Sequence, residues 1–324
     1  MNGYIAGIGC SIPEKIMTNF DLEKMVDTSD EWIRTRSGIK ERHIAAPDQP
    51  TSDLAVDAAK KALKAANTKV SEIEMIIVAT ATPDMFFPST ACLVQSKLGA
   101  RQIMSFDISA GCSGWIYALS IANAYIKTGY DNILVIGAEE LSKITDYTDR
   151  GTCVLLGDGA GAALVKKTSE DRGILSTYYA ADGSYGDLLY MPAGGTRIPT
   201  THESVEKRQH YLKMEGNKVF KVAVRAMYES AKKVLDKAKV KTEDVKMLIP
   251  HQANIRIIEA TAKRLGIPMD KVAINLDRYG NTSAASIPIG IKEALEANRI
   301  KKGDFVVFVA FGAGFTWGGV LVKW

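Results

Sequence analysis

The chain has 324 residues, 46% hydrophobic and 24% charged, with a formal net charge of +4. That length supports a large core and two units of about 150 residues each, and the near balance of charge gives no bulk drive toward nucleic acid or an anionic membrane. The start of the chain lacks the positive residues and long apolar run of a secretory leader, and no apolar run reaches the ~20 residues of a membrane span. The four cysteines, Cys10, Cys92, Cys112 and Cys153, show no CxxC spacing, so a cytoplasmic protein with free thiols and no thiolate zinc site is expected.

Residues 3–9 read as a strand. Asn19 is placed to cap a helix from Asp21 to Val26, and Thr28 or Ser29 to cap the next, which has Asp30 and Glu31 in its first turn. The segment that follows carries Trp32, Arg34, Arg36, Lys40, Arg42 and His43. One aromatic ring amid guanidinium groups suits a purine and its phosphates; spacing alone favours a solvated basic face with the indole turned inward. Residues 52–66 read as a helix with Leu54, Ala58, Ala62 and Ala65 or Ala66 inward, and 75–81 as a buried strand. The loop 82–89 brings Phe86 and Phe87 to a subunit contact or a pocket wall. Residues 90–98 form a helix stopped by Gly99.

Residues 105–108 read as a short strand, Ala110-Gly111 as a small-residue turn, and Trp115, Ile116, Leu119, Ala122 and Ile126 follow a helical period. Cys112 therefore falls where a strand turns into a helix. The partial positive charge of a helix N-terminus there would stabilise a thiolate and lower its pKa; the alternative is a small buried cysteine at a tight turn. Residues 132–137 form another buried strand, and the segment from Arg150 through GDGAGAA reads as a strand, a glycine turn and a strand.

The second half has a similar rhythm: a long helix over 216–237, a strand over 246–250 ending at His251, and an amphipathic helix over 253–265 closed by Gly266 and Pro268. A strand over 273–276, the turn DRYGNTSAASIP and a helix to about Asn298 follow, then a buried strand over 305–311 running into GAGFTWG. Strand, strand–turn–helix and strand recur in the same order, with Cys112 at the turn of the first unit and Asn281 at that of the second. A duplicated βαβ-rich unit with mostly parallel sheets covered on both faces is expected. Cys112, His251 and Asn281 then all lie just past strand ends, where α/β folds place their chemistry. Of the other histidines, His202 and His210 lie in a polar stretch read as a surface loop, and His43 in the basic segment.

Together the motifs DISAGCSGWIYAL, IPHQANIRII, DRYGNTSAASIP, FGAGFTWG, DTSDEWIRTRSGI and GDGAGAA resemble the β-ketoacyl-[acyl-carrier-protein] synthase III family of the thiolase superfamily, over essentially the full chain. The resemblance implies an α/β, five-layered αβαβα fold from two pseudo-repeated halves, divided here as residues 1–172 and 173–324, and a cytoplasmic homodimer. It implies the condensing enzyme that starts type II fatty-acid synthesis, with acyl-CoA, acetyl-CoA foremost, and malonyl-acyl carrier protein as substrates and no cofactor or metal. Cys112 would take the acyl group, and His251 and Asn281 would assist decarboxylation of malonyl. A neutral imidazole N–H and an amide NH₂ supply the two donors an enolate oxygen needs. Backbone N–H groups of Cys112 and Ala313 would form the oxyanion hole; many relatives carry glycine where Ala313 stands.

By the same resemblance, Trp32, Arg36 and Arg150 would grip the CoA adenine and phosphates, and Asn254 would lie near the pantetheine tunnel. Phe87 would reach an acyl pocket across the dimer, and Leu156 would close that pocket. The volume they bound would set the primer. Lys221, Arg256, Lys263 and Arg264 match basic positions for an acidic carrier protein, and Lys218, Lys221 and Arg225 form one helix stripe; the alternative is a solvated charged face. A nucleotide-binding oxidoreductase is disfavoured because the third glycine of GxGxxG is replaced by Ile12, Ala162 or Trp317. A Cys-His-Asn hydrolase, a non-catalytic scaffold and a polyketide-type or CoA-dependent condensing enzyme are the remaining readings.

Overall fold

The computed structural model describes all 324 residues. Two sheets lie at the centre. The first has five strands in the spatial order Asn2–Ser11, Gly159–Thr168, Asn132–Glu139, Met75–Ala79 and Met104–Ile108. The second has four, in the order Val245–Pro250, Phe305–Gly312, Thr316–Lys323 and Gly173–Ala181. Every strand of the first sheet precedes every strand of the second in the chain.

The side-chain period of two explains the layering. Along Met75–Ala79, the side chains of Met75, Ile77 and Ala79 enter one apolar cluster and those of Ile76 and Val78 another. In the second sheet, Val306, Phe308 and Ala310 share the first of those clusters, while Val307, Val309 and Phe311 enter a third. The shared cluster also contains Trp115, Ile116 and Leu119 of the helix Gly114–Lys127 and Ile287 and Ile291 of the helix Ser286–Glu296. These two helices are therefore the middle layer. Thr51–Ala65 and Thr90–Leu98 cover the outer face of the first sheet, and Gly216–Ala238 and Ile255–Leu265 that of the second. The result is the expected αβαβα sequence of layers.

Several local expectations are corrected. The sheets are mixed rather than mostly parallel: Met75–Ala79 is parallel to both of its neighbours and Val245–Pro250 to Phe305–Gly312, but the other four pairings are antiparallel. Part of the reason is the short turn at 313–315, which joins two strands as a hairpin and so forces opposite directions. Thr18, not Asn19, caps the first helix, Asn19–Glu23, in a capping box with Asp21; Asn19 is buried and its amide donates to Asp30 and Ile39 instead. Ser29 caps the next helix.

The segment after Asp149 is a helical turn, Arg150–Cys153, because the Asp149 carboxylate accepts the Gly151 N–H. Residues 273–276 form no strand. One bridge joins Val272 to Leu248, and then Gln252 Oε1 accepts the N–H groups of Asn275 and Leu276 and turns the chain into a short helix. The stretch around His202 is a short capped helix, His202–Glu206, rather than a loop.

Candidate active site

The strand Met104–Ile108 ends beside the turn that bears Cys112, and a 3-10 turn, Gly111–Ser113, leads into the helix Gly114–Lys127. Gly111 has φ +51°, and a Cβ there would stand 2.7 Å from the Ala313 nitrogen. A Cβ on Gly312 would stand 2.4 Å from the Cys112 nitrogen. Two turns, one from each half, are thus pressed backbone to backbone, and only glycine fits at both contact points. The Ala313 N–H has no acceptor within the chain. Ala313 and Cys112 both line the small apolar lobe described below.

A larger cavity measures about 810 Å³, and Cys112, His251 and Asn281 all line it. His251 extends the strand Val245–Pro250 by one residue, donating its N–H to Val309 O at 2.8 Å, and is 2% exposed. Its Nδ1 lies 2.8 Å from Ser286 Oγ, which also accepts the Gln252 N–H, so the hydroxyl proton is free to go to Nδ1. With the Ser286 hydroxyl donating to Nδ1, Nε2 carries the ring proton. Burial pushes the imidazole down to about 4, so it is neutral at pH 7. Asn281 is held to the first half by Asn281 N–H to Leu155 O and by Gly157 N–H to Asn281 O. Its Oδ1 accepts the Ser283 N–H at 2.9 Å, which turns Nδ2 outward as a donor. The site therefore offers one thiol and two neutral donors.

The thiol itself departs from expectation. Burial pushes Cys112 up to about 12, against the Ser283 hydroxyl, which favours the thiolate; the nearby Glu139 charge adds to the rise. The helix N-terminus does not by itself deliver a thiolate, because desolvation of the sulfur outweighs it. All four cysteines are free.

Around the sulfur the cavity continues into a mostly apolar lobe of about 90 Å³, lined by Leu141, Ile144, Leu155, Leu156 and Leu212 among others. Leu156 lines this lobe. Phe87 does not reach the lobe of its own chain and is 85% exposed, next to Phe86 at 77%.

At the outer end Trp32, Arg36, Asn254, Lys221 and Arg256 line the same cavity. The guanidinium carbons of Arg150 and Arg36 stand 5.0 and 5.9 Å from the Trp32 ring centre, so a half-buried indole and two exposed cations form one cluster. Asn254 spends its amide on structure: Oδ1 caps the helix Ile255–Leu265 through the Arg256 N–H, and Nδ2 donates to Arg36 O. Arg42 corrects the picture of a solvated face. It is fully buried, bonds Met17 O, Asn19 Oδ1 and Val154 O, and clamps the segment to the first half.

No group of three or more His, Cys, Asp or Glu side chains comes together in a way that could hold a metal ion, and no helix is long and apolar enough to cross a membrane. Comparison with known proteins bears on the family. Family models described as 3-oxoacyl-[acyl-carrier-protein (ACP)] synthase III and its C-terminal part match residues 106–183 and 235–324. A β-ketoacyl-[acyl-carrier-protein] synthase III of Caldanaerobacter subterraneus subsp. tengcongensis is 60% identical over 99% of this chain and 97% of its own length. The chain belongs to the β-ketoacyl-[acyl-carrier-protein] synthase III family.

It is an acyltransferase with the thiolase fold, of the kind that begins fatty-acid synthesis by condensation. The crystal structure of the Aquifex aeolicus VF5 synthase III superposes with a TM-score of 0.92 at 50% identity, covering 99% of this chain and 100% of that one. A priming β-ketosynthase from the R1128 polyketide pathway is more distant, at 31% identity over 99% of this chain and 95% of its own, with a TM-score of 0.91.

On the synthase surface Lys221, Arg256, Lys263 and Arg264 are all exposed and none is in an ion pair; Lys218, by contrast, pairs with Glu215. Arg264 lies over the Tyr228 ring. Sequence reasoning passed over Ser283, Ser286 and Gln252, which hold Asn281, His251 and the loop between them. Only their place inside the motifs marked them; small polar residues near a turn carry no periodic signal.

Proposed function

We propose that Cys112 takes a short acyl group from acyl-CoA, and that the acylated protein condenses it with malonyl-acyl carrier protein to give β-ketoacyl-acyl carrier protein, CoA and CO₂. The observation that carries this reading is the single cavity shared by Cys112, His251, Asn281 and Trp32. The backbone N–H groups of Cys112 and Ala313 hold the tetrahedral oxyanion of acyl transfer. His251 Nε2–H and Asn281 Nδ2 then donate to the malonyl thioester oxygen, CO₂ leaves, and the enolate carbon attacks the Cys112 thioester. No strong base is required in that step, in keeping with a neutral imidazole.

The lobe of about 90 Å³ has the share of roughly three liquid waters, which suits an acetyl or similarly short primer. Trp32, Arg36 and Arg150 receive the adenine and phosphates of CoA, and Asn254 borders the pantetheine path. Lys221, Arg256, Lys263 and Arg264 form the docking rim for an acidic carrier protein. The exposed Phe86 and Phe87 belong to the interface of a homodimer, where Phe87 closes the partner's acyl lobe. The chain divides into two halves at 172/173, in accord with the order of its strands, works in the cytoplasm and uses no cofactor.

Acyl-CoA alone provides the test. Acetyl-CoA without malonyl-carrier protein should release one equivalent of CoA and stop. Continuous release would favour a hydrolase, and no release would leave a scaffold.

A further inference from the structure

The chain between the 3-10 turn Gly183–Tyr185 and the helix Gly216–Ala238 runs past the acyl lobe as a strap. Its two ends pair with each other, Lys213 with Tyr190 and Met214 with Leu189, and the short helix His202–Glu206 lies between them. Leu189, Leu212 and Met214 of the strap share the lining of the lobe with Leu141, Ile144 and Leu156 of the first half. Part of the wall beside Cys112 is therefore a segment with little regular structure. Residues 191–211 carry few large apolar side chains, so burial alone holds that wall weakly.

By hydrogen bond or ion pair, residues 189–214 meet the rest of the protein at two neighbouring places only. Leu212 N–H donates to Ile144 O at 2.9 Å. Just beyond Ile144, the buried Asp146 carboxylate takes Arg208 and Lys213. Arg208 binds it twice: Nε donates to Oδ2 at 2.9 Å and a terminal N–H donates to Oδ1, a bidentate geometry that fixes direction as well as distance. Lys213 Nζ stands 3.5 Å from Oδ2. Asp146 is itself preset, because Oδ1 also accepts the N–H and the hydroxyl of Thr148. Arg208 sits at φ +54°, a backbone conformation that a residue with a Cβ keeps only where its surroundings enforce it. Its guanidinium carbon lies 5.0 Å from the Tyr211 ring centre, so the cation that grips Asp146 also braces the neighbour of Leu212.

Resting on the assignment of Cys112 as acyl acceptor, we propose that the Arg208–Asp146 pair determines primer length, by holding the strap down as a wall of the acyl lobe and so excluding acyl groups longer than the lobe. Arg208 touches neither substrate nor the reacting atoms; it is a positioning residue that acts through Leu212 and Met214. Released from Asp146, the strap keeps its own two-stranded ladder and the single bond from Leu212 to Ile144. A longer acyl chain then displaces Leu212 and Met214 outward at little cost and buries its methylene groups against them. An acetyl group fits without moving the wall and gains nothing from its release.

Arg208→Gln tests the pair while leaving both bonds from Thr148 to Asp146 in place. The measurement is the second-order rate constant for acylation of Cys112 by acetyl-CoA and by hexanoyl-CoA, read by mass spectrometry. Both substrates carry the same CoA, so any change of grip at Arg150, four residues beyond Asp146, cancels in their ratio. The unaltered protein should prefer acetyl. In Arg208→Gln the hexanoyl-to-acetyl ratio should rise at least ~10-fold, the scale of one methylene gained or lost in a pocket, with acetyl transfer largely kept. Arg208→Lys keeps the charge but not the double bond to the carboxylate, and its ratio should fall between the two. Asp146→Asn should shift the ratio in the same direction from the other side of the pair. An unchanged ratio in Arg208→Gln, equal loss of both rates, or an unaltered protein that takes hexanoyl as readily as acetyl would each overturn the proposal. Absence of acetyl from Cys112 in the unaltered protein would instead bring down the parent assignment, which separates the two.

Discussion

Asn281→Asp tests the donor role assigned to Asn281 with almost no change of shape. The Ser283 N–H bonds Asn281 Oδ1 at 2.9 Å, and an aspartate keeps that acceptor. What changes is the other end: an NH₂ that donates becomes an oxygen that repels a developing enolate. Loss of one donor to an oxyanion in a dry site costs about 10²–10³ in rate, or ~2.7–4 kcal/mol. The second donor, His251, cannot compensate, because it is already committed and buried. CO₂ release from malonyl-carrier protein should therefore fall by at least ~10²-fold, while CoA release from acetyl-CoA stays largely intact. A protonated aspartic acid would restore a donor, so activity should fall further as pH rises and the carboxyl ionises. Wild-type CO₂ release across that range, or equal loss of both half-reactions, would refute the reasoning.

Other outcomes follow from the same geometry. His251 titrates near 6.5 unfolded but near 4 in place, so between those values the unfolded chain binds more protons and stability rises with pH. Acidification from 6.5 to 4 should cost roughly 3 kcal/mol from this group, and urea unfolding of His251→Gln should show a shallower acid slope than wild type; an identical slope would remove the assignment. Arg256→Glu should raise KM for malonyl-carrier protein, more at low salt than high, and leave acetyl-CoA use nearly unchanged; a KM insensitive to the change would remove Arg256 from the docking rim. Trp32→Ala takes away the ring flanked at 5.0 and 5.9 Å by Arg150 and Arg36. At ~0.5–1 kcal/mol per exposed cation–π contact, plus the lost stacking of the base, KM for acetyl-CoA should rise about tenfold with kcat unchanged.

Much of this layout is legible in the chain because strand burial is local. Met75 to Ala79 and Phe305 to Phe311 are apolar throughout, as strands buried on both faces must be, and the small-residue turn before Cys112 announces a strand-to-helix corner. What stayed hidden depends on partners far away in sequence. The loop after Val272 is shaped by a side chain twenty-odd residues earlier, Gln252, and its own residues look strand-like. Arg42 reads as a surface cation until Met17, Asn19 and Val154 close around it. The helix-terminus argument for a Cys112 thiolate is sound locally, but the desolvation that outweighs it comes from elements of both halves. One of the four antiparallel pairings likewise turns on a connection of three residues, 313–315, whose geometry a glycine-rich motif does not spell out.

Site-resolved mass spectrometry of the protein, first with acetyl-CoA and then with malonyl-carrier protein, addresses the catalytic assignment most directly. The peptide bearing Cys112 should carry the acetyl group after the first addition and lose it, with β-ketoacyl-carrier protein formed, after the second. An acetyl group on any other residue, or one on Cys112 that persists when malonyl-carrier protein is supplied, would contradict it.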